Sequence, residues 1–148
     1  MQEAPAGSQT PRFPETGMAV SITKTISESD VYLFAGITGD LGPNHTDAEY
    51  MANSPYGQRI AHGALTLGLM STCSTRLIER LGDTPTVNYG YERVRFVRPV
   101  LFGDTISVSY VVSRVDLDTD RVYADVTATN QRGDVVAVAV NVLRVIGR

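Results

Sequence analysis

A chain of 148 residues, 43% of them hydrophobic, is long enough for one ordinary domain with a real core. Its 13 Lys and Arg are outnumbered by 16 Asp and Glu, for a net charge of −3, which argues against a nucleic-acid partner. No run of like charges marks a membrane or polyanion patch. The single cysteine, Cys73, has no intrachain partner and no charged-then-apolar leader opens the chain, so a reducing, cytoplasmic setting is expected.

Residues 1–17 carry Pro5, Pro11 and Pro14 among small polar residues and read as a loosely ordered arm before one domain over 18–148. Met18 to Ile26 alternates loosely, with several β-branched residues, and predicts a first strand. Ser27, Ser29 and Asp30 offer N-caps for a short helix through Phe34. The stretch ITGDLGPNHTD, Ile37 to Asp47, reads as a loop, after which Asp47 caps a second short helix that Pro55 and Gly57 end.

Gly63 to Leu81 is the one long helical pattern. Leu65, Leu69 or Met70, Cys73, Leu77 and Leu81 recur at helical spacing, Gly68, Ser71 and Ser74 keep another side small, and Gly82 and Pro85 stop it. The uncharged run Ile60 to Thr75 is shorter than a membrane span and reads as helix buried in protein. Four strand-like segments follow: TVNYGYERVRFV, GDTISVSYVVSRV, RVYADVTATN and VVAVAVNVLRV, the last apolar enough for a central place in the sheet. DLDTD and QRGD suit hairpin connections, so a meander is expected. One uncharged helix needs cover on most sides, which a strongly curved antiparallel sheet supplies. The expected class is therefore α+β, a hot-dog fold with the sheet wrapped around one long central helix.

Within ITGDLGPNHTD, Pro43 opposes a regular helix, and a turn through Gly42 and Pro43 can bring Asp40 and His45 to one side. A carboxylate and an imidazole so placed form an acid/base pair. Asp40 alone reads equally as turn chemistry, and His62, which opens the long helix, as a residue that caps or orients it. Asp40, His45, His62 and Asp47 are metal-ligand types, but without tight His spacing no metal is expected.

Three segments carry a resemblance. TGDLGPNHTD resembles the GDxNPxHxD signature of the MaoC-like (R)-specific enoyl-CoA hydratases and acyl dehydratases. RIAHGALTLGL resembles that family's entrance to the central helix, and RFVRPVLFGDTISV its characteristic strand and turn. The resemblance covers the chain from about Met18 onward. It implies reversible hydration of trans-2-enoyl thioesters to (R)-3-hydroxyacyl thioesters, with Asp40 and His45 as the dyad that activates water and the Gly63 N–H receiving the thioester oxygen. One departure stands out: family members usually have Asn where this chain has Gly42, and Asn44 follows two places later.

Substrate contacts are expected from Asn44, His62 and Ala64, the small residues around Ala64 either leaving room for an acyl chain or serving close sheet packing, while Arg93, Arg95 and Arg98 suit either the phosphates of coenzyme A or a solvated strand face. Coenzyme A is then part of the substrate, with no further cofactor. Acyl carrier protein is the alternative carrier, and a homodimer or an assembly of dimers the expected state. Two other readings stand beside this one: a hot-dog module that holds thioesters without turning them over, and a thioesterase. The thioesterase would need a carboxylate near Gly63, where Glu79 lies about four turns away.

Overall fold

In the computed structural model, which describes residues 12–146, the chain opens with Arg12–Gly17, where Phe13 packs against the core and the Gly17 N–H bonds to the Val112 carbonyl at 2.8 Å. The expected arm lies for the most part outside the described residues. Strand β1, Ala19–Thr25, buries Val20 and Ile22 on one face. Helix α1, Glu28–Thr38, is longer than the sequence predicts and begins with a full capping box. The Ser27 hydroxyl accepts from the Asp30 N–H at 3.2 Å, while the Asp30 carboxylate accepts from the Ser27 N–H at 2.8 Å.

Partial burial pushes the Asp30 carboxyl up, but the Ser27 N–H and the Lys24 ammonium outweigh it and leave the group below its ordinary value. Its contribution is thus present above the unfolded carboxylate value of about 3.9 and fades as pH falls through the folded one. Ser27→Ala is expected to cost about 1 kcal/mol in urea denaturation at neutral pH, the typical cost of a lost N-cap. A change below a few tenths would show that the box adds nothing.

Gly39 closes α1 in the left-handed region at φ 77°. Two short helices follow, α2 over Pro43–Thr46 and α3 over Ala48–Ala52, the latter capped by Asp47, whose carboxylate accepts from the Tyr50 N–H at 2.9 Å. The α2 turn corrects the expectation of a plain loop. Pro43 sits at the first helical position, where its missing N–H costs nothing and its fixed φ suits the turn. The long helix α4, Gly63–Glu79, buries Leu69, Met70, Cys73 and Leu77.

The strands β2 (Thr86–Phe96), β3 (Thr105–Asp116), β4 (Arg121–Thr129) and β5 (Val135–Val145) join β1 in one antiparallel sheet of order β1-β3-β4-β5-β2. Only β3, β4 and β5 form a meander. The expected four-strand meander fails at β2, which pairs with β5 at the far edge, from Thr86 opposite Val145 to Phe96 opposite Ala137. The connection 97–104 therefore crosses the sheet. It bonds in passing to the Val136 carbonyl, the Ala61 N–H and the Ile26 carbonyl. Asp104, 4% exposed, fixes the end of this crossing by accepting from the Leu101 N–H at 2.9 Å and the Gln131 amide at 2.7 Å.

Ile106, Val108, Tyr110 and Val112 all face the core, as the β3 alternation predicts, and α4 lies against them. The other side of α4 is open. Ala64 and Gly68 are exposed, and a Cβ added at Gly68 would meet nothing within 4 Å, so the small residues there do not serve close packing within this chain.

One polar network runs through the core. The Tyr110 hydroxyl donates to Asn141 Oδ1 at 2.7 Å, and Asn141 Nδ2 donates to Asn88 Oδ1 and to the Gly90 carbonyl, both at 2.9 Å. Asn141 thereby ties β5 to the irregular stretch of β2 where the register shifts between Asn88 and Gly90. Burial raises the Tyr110 phenol well above its ordinary range, keeping it a neutral donor.

Candidate active site

The segment between α1 and α4 turns back on itself three times. Gly39 reverses the chain, the α2 turn carries His45 inward, and the residues before α4 return alongside. The Ile60 backbone pins this return at both its groups: its N–H donates to the Asn44 carbonyl at 3.0 Å, and its carbonyl accepts from His45 Nδ1 at 2.7 Å. On the other side Ala61 donates its N–H to the Val100 carbonyl at 2.8 Å.

These contacts define the protonation of His45. A carbonyl can only accept, so Nδ1 carries the hydrogen, and in the neutral ring the lone pair lies on Nε2. The Asn44 amide Nδ2 donates to that Nε2 at 3.1 Å. His45 is 8% exposed and its ring stacks on that of His62, with centroids 3.7 Å apart.

His62 is the more deeply buried of the two, at 2% exposure. Its Nε2–H donates to the Asp40 backbone carbonyl at 2.9 Å, and the same nitrogen lies 3.9 Å from Asp40 Oδ2. His62 precedes α4 without capping it through its side chain, so of the two roles read from sequence it performs the orienting one. It joins the Asp40 turn to the start of the central helix. The Asp40 carboxylate itself is 58% exposed at the rim, with Oδ1 accepting from the Gly42 N–H at 3.3 Å.

A carboxylate oxygen of Asp40, one nitrogen of His45 and one of His62 all lie within 4.8 Å of one another. These are metal-ligand types, but both His45 nitrogens and His62 Nε2 are already hydrogen-bonded within the protein. His62 Nδ1 is the imidazole nitrogen of the pair that has no partner.

Beside this cluster opens a cavity of about 310 Å³, lined by His45, Asn44, Gly63, Phe96, Arg98 and several apolar side chains including Val100. Its size and mixed lining are those of a small-molecule site. Gly63 is the first residue of α4, where backbone N–H groups have no intrahelical partner and the helix dipole is positive. The Phe96 ring lies directly over it: a Cβ at position 63 would be 2.6 Å from that ring. Glycine is required here by close approach. Gly63→Ala is expected to cost about 1–3 kcal/mol by overpacking, and adding Phe96→Ala should recover most of the loss in urea denaturation. A double variant as unstable as Gly63→Ala alone would contradict the contact.

The structure therefore brings Asp40, His45, His62 and Gly63 to one end of α4, with Asn44 and Arg98 on the cavity wall. Arg98 also donates to the Val135 carbonyl at 3.1 Å. Ala64, Arg93 and Arg95 stand apart from the cavity: Ala64 is exposed on the open side of α4, Arg95 bonds its neighbour's carbonyl, and Arg93 sits in the β2 irregularity at φ 52°. Sequence reasoning missed Phe96 and the Ile60 backbone. Phe96 looked like an ordinary strand residue, and a backbone carbonyl leaves no trace in residue identity.

Comparison with known proteins adds the decisive observation. Residues 9–133 match the family model described as the MaoC like domain. The chain belongs to the MaoC-like family. Among relatives of this MaoC-like domain, the (R)-specific enoyl-CoA hydratase of Rhodospirillum rubrum is 39% identical over 98 residues, 66% of this chain and 65% of that protein. The chain thus spans just under two thirds of that relative's length. The 3-hydroxybutyryl-CoA dehydratase of Methylorubrum extorquens is 38% identical over 123 residues, 82% of this chain and 74% of that one. Among solved structures, the R-hydratase PhaJ1 from Pseudomonas aeruginosa in its unliganded form superposes with a TM-score of 0.78 at 32% identity, covering 95% of this chain and 88% of that one. The hot-dog fold is shared with that solved structure.

Proposed function

We propose that this MaoC-like domain reversibly adds water to trans-2-enoyl thioesters, giving (R)-3-hydroxyacyl thioesters. The observation that carries the reading is the approach of the Asp40 carboxylate to His45, which lines the cavity together with Gly63 at the N-terminus of α4. The relatives named as hydratase and dehydratase support the same reaction class.

Water held between the Asp40 carboxylate and His45 Nε2 gives a proton to Nε2 while its oxygen bonds to C3. Charge passes through the conjugated system to the thioester oxygen, which the Gly63 N–H stabilises more strongly in the transition state than in the substrate. Nε2–H then returns the proton to C2 on the same face, which makes the addition syn. The thioester survives, and water is the only reactant added, so coenzyme A enters as part of the substrate. Arg98, at the cavity wall, suits an anionic carrier group.

The exposed apolar residues Val87, Tyr89, Phe96 and Val97 on and beside edge strand β2 support pairing with a second copy. Among the described residues no helix is long and apolar enough to cross a membrane.

The test is chiral analysis of the product formed from trans-2-enoyl-CoA and, in parallel, from the acyl-carrier-protein thioester. The (R)-3-hydroxyacyl thioester is expected. The (S)-product or free carboxylic acid would reject the reading, and the faster of the two substrates identifies the carrier.

A further inference from the structure

Asn44 has no step in the reaction above, yet its side chain holds the catalytic nitrogen. Its amide donates to His45 Nε2 at 3.1 Å, its own carbonyl accepts from the Ile60 N–H, and it lines the cavity. With the Ile60 carbonyl on Nδ1 and the amide on Nε2, the imidazole has a single tautomer and a single orientation.

Position 42 explains how the amide fits. Gly42 has φ −51°, a value open to any L-residue, so its backbone does not call for glycine. Space does. A Cβ built at position 42 would lie 2.7 Å from Asn44 Oδ1, 3.3 Å from Asp40 Oδ1 and 3.6 Å from His45 Cδ2. A side chain there would thus start between the two dyad residues, beside the ring carbon next to Nε2, in the volume that the Asn44 amide fills.

We propose that Asn44 is the positioning residue for His45, and that Gly42 leaves open the space its amide occupies: one amide reaches His45 Nε2, from position 42 or from position 44, and not from both. In the resting site the amide occupies the Nε2 lone pair at the wall of the cavity that both residues line. Water entering for addition takes Nε2 from it, and the amide stays beside that water. The assignment rests on His45 Nε2 being the proton-transfer atom of the hydratase reading.

Steady-state kinetics on a trans-2-enoyl-CoA should be compared for Asn44→Ala, Gly42→Ala, the two combined, and Gly42→Asn with Asn44→Ala, each shown to unfold at the wild-type temperature. Asn44→Ala and Gly42→Ala should each lower kcat about tenfold, the scale of a mispositioned catalytic group, with KM little changed. Their combination should be no slower than Asn44→Ala, because both remove one interaction. The relocated amide should recover most of the lost kcat. Wild-type kcat in Asn44→Ala, additive losses, or no recovery by relocation would overturn the proposal.

A second readout does not depend on turnover. In ¹⁵N-labelled protein at pH 9, a coupling across the hydrogen bond between the Asn44 amide nitrogen and His45 Nε2 is expected in wild type and should vanish in Gly42→Ala. Its absence from wild type would overturn the placement. Its presence in a protein that hydrates no enoyl thioester would leave the placement standing and reject the hydratase reading instead.

Discussion

Replacing His45 with Ala is expected to lower kcat for enoyl-thioester hydration by about a hundred- to ten-thousand-fold, the usual worth of a positioned acid/base group. Asp40→Asn should fall in the same range. The two effects should not multiply in the double variant, because in the proposed reaction both groups hold the same water. The variants should also differ in stability. Asp40 is at the exposed rim, so its carboxylate can be replaced at little cost. His45 is buried, bonded at both nitrogens and stacked on His62, so His45→Ala removes packing as well as chemistry. Thermal unfolding of both proteins separates the two causes. Wild-type kcat in either variant would remove that residue from the reaction.

The largest stability effect is expected at Asn141. It is fully buried, and its amide is bonded at both ends, to the Tyr110 hydroxyl and to the Asn88 side chain and Gly90 carbonyl. Asn141→Ala leaves the fully buried phenol without its acceptor and opens a cavity where the amide was, while the half-buried Gly90 carbonyl loses its side-chain donor. One unsatisfied buried group costs about 1–3 kcal/mol, and with the packing lost at Asn141 a total on the order of 3 kcal/mol is expected. For a domain of this size that lowers Tm by on the order of 10 °C. Tyr110→Phe should cost less, since it removes one donor and leaves the β2 bonds in place. An Asn141→Ala protein within 0.5 kcal/mol of wild type, by urea denaturation, would show that the network is dispensable.

Local chemistry was legible where a side chain acts on its own neighbourhood. Ser27 and Asp47 cap the helices they were expected to cap, and the alternation in β3 names the four residues that face the core. Relations across the chain were less legible. Nothing in TVNYGYERVRFV says that its partner is the last strand, and the pairing requires the 97–104 connection to cross from one side of the sheet to the other. Pro43 was read as a helix breaker when it is a helix opener, a difference that depends only on which side of it the turn falls.

The site shows the same division. Asp40, His45 and Gly63 were found from residue type, spacing and family resemblance, and the fold brings them together. Arg93 and Arg95 were grouped with Arg98 because they share a strand, but the β2 irregularity carries them away from the cavity that Arg98 lines. The pairing of Gly42 with Asn44 was visible in the sequence, but that the Asn44 amide bonds His45 and that a Cβ at position 42 would meet it are matters of volume that only the fold shows. Glu79, the carboxylate that a thioesterase would require, is exposed at the far end of α4 and does not line the cavity.

The most direct measurement follows the absorbance of the conjugated enoyl thioester as wild-type protein acts on crotonyl-CoA and longer trans-2-enoyl-CoAs, with free thiol titrated in the same samples. Loss of the enoyl band with no thiol released is the predicted result, and the chain length that reacts fastest defines the acyl group. Thiol release in step with the absorbance change, or a band that persists across the whole series while the ligands still bind, would contradict the account.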